Sequence, residues 1–273
     1  MNVKIQDINI SNSKPFILIA GPDSIESLNH ALMMAREINK IARSLNIPYI
    51  FKASYDKANR TSIGSFRGVG IKRGVEILTQ IQNKVKIQVT TDVHSIEEVE
   101  YAGRFIDLIQ IPALLSRQTD LLIAAGKTNK AVNIKKGQFI APQNVNNLIA
   151  KVTSVGNKNV LITERGTTFG YNDVVTDMRG IEIMKRFNYP VIFDASHTVQ
   201  FPSNLGNKSG GDRSLIPALA KAAIAVGVAG IFMEIHNNPD KAPVDGLSSL
   251  NLKDLPKLLK TLKSIDKIVK NYE

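Results

Sequence analysis

The chain is 273 residues long, with 35 Lys and Arg against 24 Asp and Glu and a net charge of +11. Its 43% hydrophobic and 22% charged content excludes a disordered or collagen-like chain. It has no cysteine, which excludes disulfides, iron–sulfur clusters, thiolate zinc sites and a cysteine nucleophile, and fits a reducing, cytoplasmic setting.

Met1 to Ile10 has no basic segment followed by an apolar one, so no signal peptide is expected. No apolar run approaches the roughly 20 residues needed to span a bilayer, so no membrane partner is expected. Val3, Ile5, Ile8 and Ile10 predict a small hairpin within residues 1–14, a cap for the bottom of the fold.

Eight short apolar runs come next: Phe16–Ala20, Tyr49–Ala53, Ile87–Thr91, Ile106–Ile111, Ala131–Ile134, Val160–Thr163, Val191–Asp194 and Gly230–Glu234. Most are near-continuous in Val, Ile, Leu and Phe, the pattern of parallel strands buried on both faces. Helical patterns alternate with them over Leu28–Leu45, Ile71–Gln82, Ile96–Ala102, Arg117–Gly126, Val145–Val152, Gly180–Arg186, Ser214–Val226 and Leu252–Tyr272. Eight βα units in one chain of this size predict an α/β fold, a single (β/α)8 barrel spanning 1–273. The doubly wound sheet shares the alternation but usually carries Gly-x-Gly-x-x-Gly after its first strand; here Gly21-Pro22-Asp23 stands there.

The last helix holds six lysines against Asp254, Asp266 and Glu273, so it supplies +3 of the charge. Leu255, Leu258, Leu259, Leu262, Ile265, Ile268, Val269 and Tyr272 are spaced as its apolar face, with lysines on the wet one. The alternative, a basic nucleic-acid-binding protein, is disfavoured because no aromatics interleave with the lysines to stack bases.

A barrel places its active site on the loops after the strands. Those loops carry Asp23 and Glu26; Lys52, Ser54, Asp56, Lys57, Asn59 and Arg60; Asp92 and His94; Gln110 and Arg117; Lys135, Lys136 and Gln138; Glu164 and Arg165; Asp194, His197 and Gln200; and Glu234, His236 and Asp245. Lys52, Lys57, Arg60, Lys135, Arg165 and nearby Arg117 would converge at one mouth. Such cations repel unless a phosphate or carboxylate joins them, or carboxylates such as Asp56, Asp92, Glu164 and Asp194 pair with some. The Gly-rich segment Leu205–Arg213 is a candidate phosphate loop or lid. His30 reads as a surface residue. His197, Glu234 and Asp245 form a plausible N,O,O metal set.

The segments Gly21-Pro-Asp-Ser-Ile-Glu-Ser27, Phe51-Lys-Ala-Ser-Tyr-Asp-Lys-Ala-Asn-Arg60, Thr91-Asp-Val-His94, Ile109-Gln-Ile-Pro-Ala113, Arg117-Gln-Thr-Asp120, Val132-Asn-Ile-Lys-Lys-Gly-Gln-Phe139, Thr163-Glu-Arg-Gly-Thr-Thr-Phe-Gly170 and Phe193-Asp-Ala-Ser-His197 resemble 3-deoxy-D-manno-octulosonate 8-phosphate synthases. The resemblance runs from about residue 15 to the C-terminus. It implies a cytoplasmic, homotetrameric (β/α)8 barrel. That family condenses phosphoenolpyruvate with arabinose 5-phosphate and releases phosphate, on the way to the sugar that links lipid A to the lipopolysaccharide core. Lys52, Lys57, Gln110, Ala113, Lys135 and Arg165 resemble the phosphoenolpyruvate-binding set. Asn59, Arg60 and Thr61 resemble the site for the sugar phosphate, and Arg117 a residue reaching it from a neighbouring subunit. His197 and Asp245 are implied to lie near the reacting carbons. Ser54 and Gln200 join the substrate set, and Lys57 and Asp92 the catalytic one.

Two positions depart from the family pattern. One branch holds a metal with Cys, His, Glu and Asp; the other has Asn for Cys and needs none. Here Asp23 stands at that position, with His197, Glu234 and Asp245 matching the rest. Either the set holds a divalent ion (Mn²⁺, Mg²⁺, Fe²⁺ or Zn²⁺, with the hard ions favoured by an all N/O set) or Asp23 substitutes for Asn and no metal is used. Gly64 replaces a usual His and is expected to loosen its loop. The related synthase that uses erythrose 4-phosphate typically has Lys-Pro-Arg-Thr where this chain has Lys57-Ala-Asn-Arg60, which favours the five-carbon sugar.

Overall fold

The computed structural model describes residues 1–59, 62–202 and 210–272. Strands β1 (Val3–Ile5) and β2 (Ile8–Ile10) pair antiparallel as a hairpin. The barrel begins with β3 (Ile17–Gly21), β4 (Tyr49–Lys52), β5 (Gln88–Asp92), β6 (Leu108–Ile111), β7 (Ala131–Lys135) and β8 (Val160–Glu164). A small ribbon, β9 (Thr167–Thr168) with β10 (Val174–Val175), stands on the loop after β8. Barrel strand β11 (Val191–Asp194) follows, then a ribbon of β12 (Gln200–Phe201) with β13 (Gly210–Gly211), and the last barrel strand β14 (Gly230–His236). Neighbouring barrel strands pair in parallel, and β11 pairs with β14, which closes the ring. A short β15 (Leu250–Asn251) extends β14 at its C-terminal end.

The helices α1 (Leu28–Ser44), α2 (Ile71–Val85), α3 (Ile96–Ala102), α4 (Thr119–Lys127), α5 (Val145–Thr153), α6 (Met178–Lys185), α7 (Ile216–Ala225) and α8 (Leu255–Lys270) form the outer layer. Sequence explains several starts. Ser27, Ser95 and Asp177 are extended N-caps whose side chains accept backbone N–H bonds from the first turns of α1, α3 and α6. None of the helices among the described residues is long and apolar enough to cross a membrane.

Two apolar cores hold this architecture. One lies between strands and helices; the other fills the lower barrel, where Ile17, Ile19, Ile50, Leu108, Leu161, Ile192 and Phe232 meet Val3, Ile5, Ile8 and Ile10 of the hairpin. The hairpin thus plugs the bottom, as its alternation predicts, and leaves the opposite end open. Burying each large aliphatic side chain contributes about 1.5–3 kcal/mol.

Helix α8 departs from its predicted face. Leu255, Leu258, Leu259 and Leu262 are buried, but Ile268 is 77% exposed and Asp266 is fully buried. The inward stripe reaches 266 and 270, where the chain places a charged pair: Asp266 accepts the Phe16 N–H and lies 2.8 Å from Lys270, which also donates to the carbonyls of Lys14 and Val228. Lys270 is therefore not on the wet face. The pair ties the last helix to the entry of β3.

Candidate active site

The open end of the barrel holds a polar cavity of about 360 Å³. Of the sequence-predicted residues, Lys52, Lys57, Asn59, Asp92, Ala113, Lys135, Arg165, His197, Gln200 and Asp245 line it, and His94, Gln138 and Asp56 join them. Ser54, Gln110, Asp23 and Glu234 are buried just beneath. Arg60 and Thr61 lie outside the described residues, as do residues 205–209 of the Gly-rich segment. Arg117 is exposed and does not line this cavity; its carbonyl accepts from Lys151 at 2.8 Å. Gly64 has open space around it, so a side chain there would meet no obstacle.

Strand geometry sets this convergence. The last residue of a parallel strand and the first of its loop point into the mouth, and eight strands bring their ends within one ring. Beneath the cavity a hydrogen-bonded belt crosses six strands. Thr163 donates to Asn133 at 2.7 Å, Asn133 to Gln110 at 3.1 Å, and Gln110 to Asp92. Asp92 also accepts from Ser54, whose hydroxyl accepts from Lys57 at 3.0 Å, and Lys57 reaches Asp23. The Asn133–Thr163 part was not foreseen; a polar residue inside an otherwise apolar strand is its only sequence signal.

The cations are paired more fully than packing at a mouth suggested. Lys52 donates to Glu234 at 2.8 Å and lies 3.8 Å from Asp23; Lys57 pairs with Asp23; Lys135 donates to Asp194 at 2.8 Å. Lys52, Lys57, Lys135 and Arg165 thus face five carboxylates, Asp23, Asp92, Asp194, Glu234 and Asp245. Repulsion among cations is answered largely inside the chain. Phe232 supplies a floor that the sequence did not point to, its ring centroid 3.8 Å from Lys135 and 5.4 Å from Lys52.

Arg165 is the exception. Buried to 4% exposure, it donates through Nη2 to Gln200 at 3.1 Å, while Nη1 is buried with no hydrogen-bond partner among the described residues. Gln200 in turn donates to Asp245 at 2.6 Å. Behind Arg165, fully buried Lys136 lies 3.5 Å from Glu164 and 3.2–3.4 Å from the carbonyls of Gly137, Ile140 and Gly166 and the Thr167 hydroxyl. This clamp ties the loop after β7 to the loop after β8, so Lys135 and Arg165 share one rigid support.

Electrostatics follow from burial and pairing. Burial pushes Asp92 up, but Lys52, Lys57 and Lys135 outweigh it and hold the carboxyl well below its usual range. Asp194 is likewise pushed up by burial and pulled well down by His197 and Lys135. Burial lowers His197, opposed by Asp194, and its Nδ1 lies 2.8 Å from Asp194. Glu234 is pushed up to about 8 by burial, against Lys52 and with Asp23 adding repulsion.

A divalent ion fits part of the expected set. Asp23, His197 and Asp245 each offer a donor atom, and these lie within 4.8 Å of one another. Asp23 Oδ2 and Glu234 Oε2 are buried without hydrogen-bond partners among the described residues, as metal-facing oxygens would be. Glu234 is not one of the convergent trio, and its Oε1 accepts from Lys52.

The DAHP synthetase I family model matches residues 1–271. Proteins named 2-dehydro-3-deoxyphosphooctonate aldolase are 52% identical in Rickettsia bellii (strain OSU 85-389) and 50% identical in Geotalea uraniireducens, each over 98% of both chains. One from Granulibacter bethesdensis is 51% identical over 97% of this chain and 94% of its own. The chain belongs to the 2-dehydro-3-deoxyphosphooctonate aldolase family. That name is a synonym of the octulosonate 8-phosphate synthase that the motifs resemble. In this family member Lys52, Lys57, Asn59, Asp92, Ala113, Lys135, Arg165 and His197 of these motifs gather at one barrel mouth, while Arg117 lies apart from it.

Proposed function

We propose that this chain condenses phosphoenolpyruvate with D-arabinose 5-phosphate and water, giving 3-deoxy-D-manno-octulosonate 8-phosphate and inorganic phosphate. The observation that carries this reading is Arg165, a buried guanidinium that lines the polar cavity with Lys135 and keeps one nitrogen without a hydrogen-bond partner among the described residues. A planar fork of this kind suits a phosphate or carboxylate, and phosphoenolpyruvate carries both. The names of the relatives support the choice of sugar.

In this reading Arg165, Lys135, Lys52, Lys57, Gln110 and the Ala113 backbone bind phosphoenolpyruvate. Asn59, Arg60 and Thr61 bind the sugar phosphate, with Ser54 and Gln200 orienting both partners. Carbon 3 of phosphoenolpyruvate attacks the sugar aldehyde, water adds at carbon 2, and phosphate leaves from carbon 2. Lys57 and Lys135 steady negative charge on the aldehyde oxygen and the leaving phosphate, as preorganised donors do in a dry site. Asp23 and Asp194 hold these two amines in place, and Asp92 braces Lys57 through Ser54. His197 and Asp245 stand beside the reacting carbons and manage the proton of the attacking water.

Asp23, His197 and Asp245, with Glu234 behind them, hold a divalent ion in this reading, and Mn²⁺, Mg²⁺ or Fe²⁺ suits the N/O set better than the thiophilic ions. Such an ion, when bound, would supply positive charge that stabilises a developing oxyanion. Extensive EDTA treatment, followed by assay and elemental analysis, tests it; unchanged activity with no metal present would overturn it.

The working form is a cytoplasmic homotetramer in which Arg117, exposed and away from its own mouth, serves a neighbour. Mixed tetramers of Arg117→Ala with another site variant should regain activity. The sugar is tested by phosphate release with arabinose 5-phosphate and erythrose 4-phosphate. Faster turnover with erythrose 4-phosphate would replace this reading with the seven-carbon synthase reaction.

A further inference from the structure

Glu26, His30 and His236 meet on the rim, outside the mouth cavity and sharing no residue with the Asp23 set. His236, at the end of β14, is 6% exposed, and its Nδ1 accepts the Asn238 backbone N–H at 2.9 Å. A backbone N–H can only donate, so the His236 proton sits on Nε2. That nitrogen lies 2.8 Å from Glu26 Oε1 and donates to it. His30, in the first turn of α1, donates from Nε2 to Asn237 Oδ1 at 3.0 Å. In the neutral ring this leaves Nδ1 with its lone pair, the form in which it can bind a metal. That atom is buried, makes no hydrogen bond among the described residues, and lies 3.5 Å from Glu26 Oε1.

A lone pair buried against a carboxylate oxygen is unfavourable unless a cation sits between them. We propose that this is a second divalent metal site, with His30 Nδ1 and the Glu26 carboxylate as protein ligands and water completing the shell. Two ligands bonded at about 2.0–2.1 Å to a tetrahedral ion lie about 3.3–3.4 Å apart, close to the observed gap. The outer partners are already built. Asn237 fixes the His30 ring through its other nitrogen, and His236 orients the carboxylate, the arrangement that metal-bound histidines and carboxylates use. Glu26 is 30% exposed, which leaves a path for the ion and its waters. With one imidazole to a single carboxylate, the nitrogen share is larger than in the mouth set, which tilts this site towards Zn²⁺, Co²⁺ or Ni²⁺. The ion would fix the turn that leads into α1, and the hydrogen bonds of Asn237 and His236 tie that turn to the end of β14, the strand that carries Glu234 into the mouth.

The test uses Co²⁺ on EDTA-stripped full-length protein, read by visible absorption and by elemental analysis after desalting. His197→Ala, which disables the mouth set, should still take up one equivalent of cobalt, and His197→Ala/His30→Leu should take up none. Co²⁺ should raise the thermal midpoint of the parent more than that of His30→Leu, whose phosphate-release activity stays at the parent level. Should His197→Ala fail to fold, parent and His30→Leu are compared directly and should differ by one equivalent. No cobalt in His197→Ala, an equivalent that survives His30→Leu, or no difference in the direct comparison overturns the proposal. The first of these outcomes would mean that a proton, not a metal, bridges His30 and Glu26.

Discussion

Replacing Lys136 by Met removes the cation of the clamp behind Arg165 while keeping an unbranched side chain only one atom shorter. It leaves Glu164, with a side chain only 3% exposed, without its counterion, and four further oxygen acceptors lose their shared donor. Breaking a buried pair by removing one partner typically costs about 3–5 kcal/mol. The low end, about 3 kcal/mol, is expected here, because burial already pushes Glu164 up and Lys136 down, towards their neutral forms. For a chain of this size that is a fall of about 6 °C in thermal midpoint, at about 2 °C per kcal/mol. The double variant Lys136→Met/Glu164→Gln removes the stranded charge and should recover at least about 1 kcal/mol relative to the sum of the singles. Thermal unfolding by circular dichroism reads both effects. Steady-state phosphate release should also show a raised KM for phosphoenolpyruvate in the single variant, since the loop holding Arg165 loses its tie. A midpoint lowered by under about 2 °C, or a double variant equal to the sum of the singles, would refute the clamp.

Arg165→Ala should keep its fold and lose at least about a hundredfold in kcat/KM, the scale of one lost preorganised donor; near-normal turnover in the phosphate-release assay would break the site assignment. Gly21→Ala would place a Cβ 2.0 Å from the Lys52 carbonyl oxygen, a backbone atom that cannot turn aside. A loss of about 1–3 kcal/mol is expected from such overpacking, and an unchanged thermal midpoint would contradict the close approach of β3 and β4. Asp92 and Asp194 sit below their unfolded values, so their contribution is complete above about pH 5 and is lost progressively as pH falls further. Asp194→Asn should therefore lose less stability than the parent between about pH 5 and 3, and equal losses in thermal midpoint over that range would argue against the shift.

The barrel was legible because each strand is a short apolar run and each helix carries its own period. Those are local patterns, and every predicted strand overlaps an observed one. The site was legible as a set of strand-end residues for the same reason: Lys52, Asp92, Lys135, Arg165 and His197 lie at or just past the ends of their strands. Helix α8 marks where local patterning fails. Ile268 and Val269 look like core by spacing, yet the inward positions at that turn belong to Asp266 and Lys270, because the neighbouring β3 entry offers a backbone N–H to be satisfied. His30 read as a surface residue because nothing nearby in sequence points to His236, which only the closed barrel brings beside it.

The sequence by itself determined the layer order, the end of the barrel that bears chemistry, and the anionic character of the ligands. Each depends on residue type and on spacing along one strand or helix. Tertiary structure decided the pairing of charges: that Lys52 answers Glu234, Lys57 Asp23 and Lys135 Asp194, and that among the described cations of the mouth Arg165 keeps a donor in reserve. Coulomb interactions depend on distance in space and on burial, and neither is set until eight separate strand ends close into one ring.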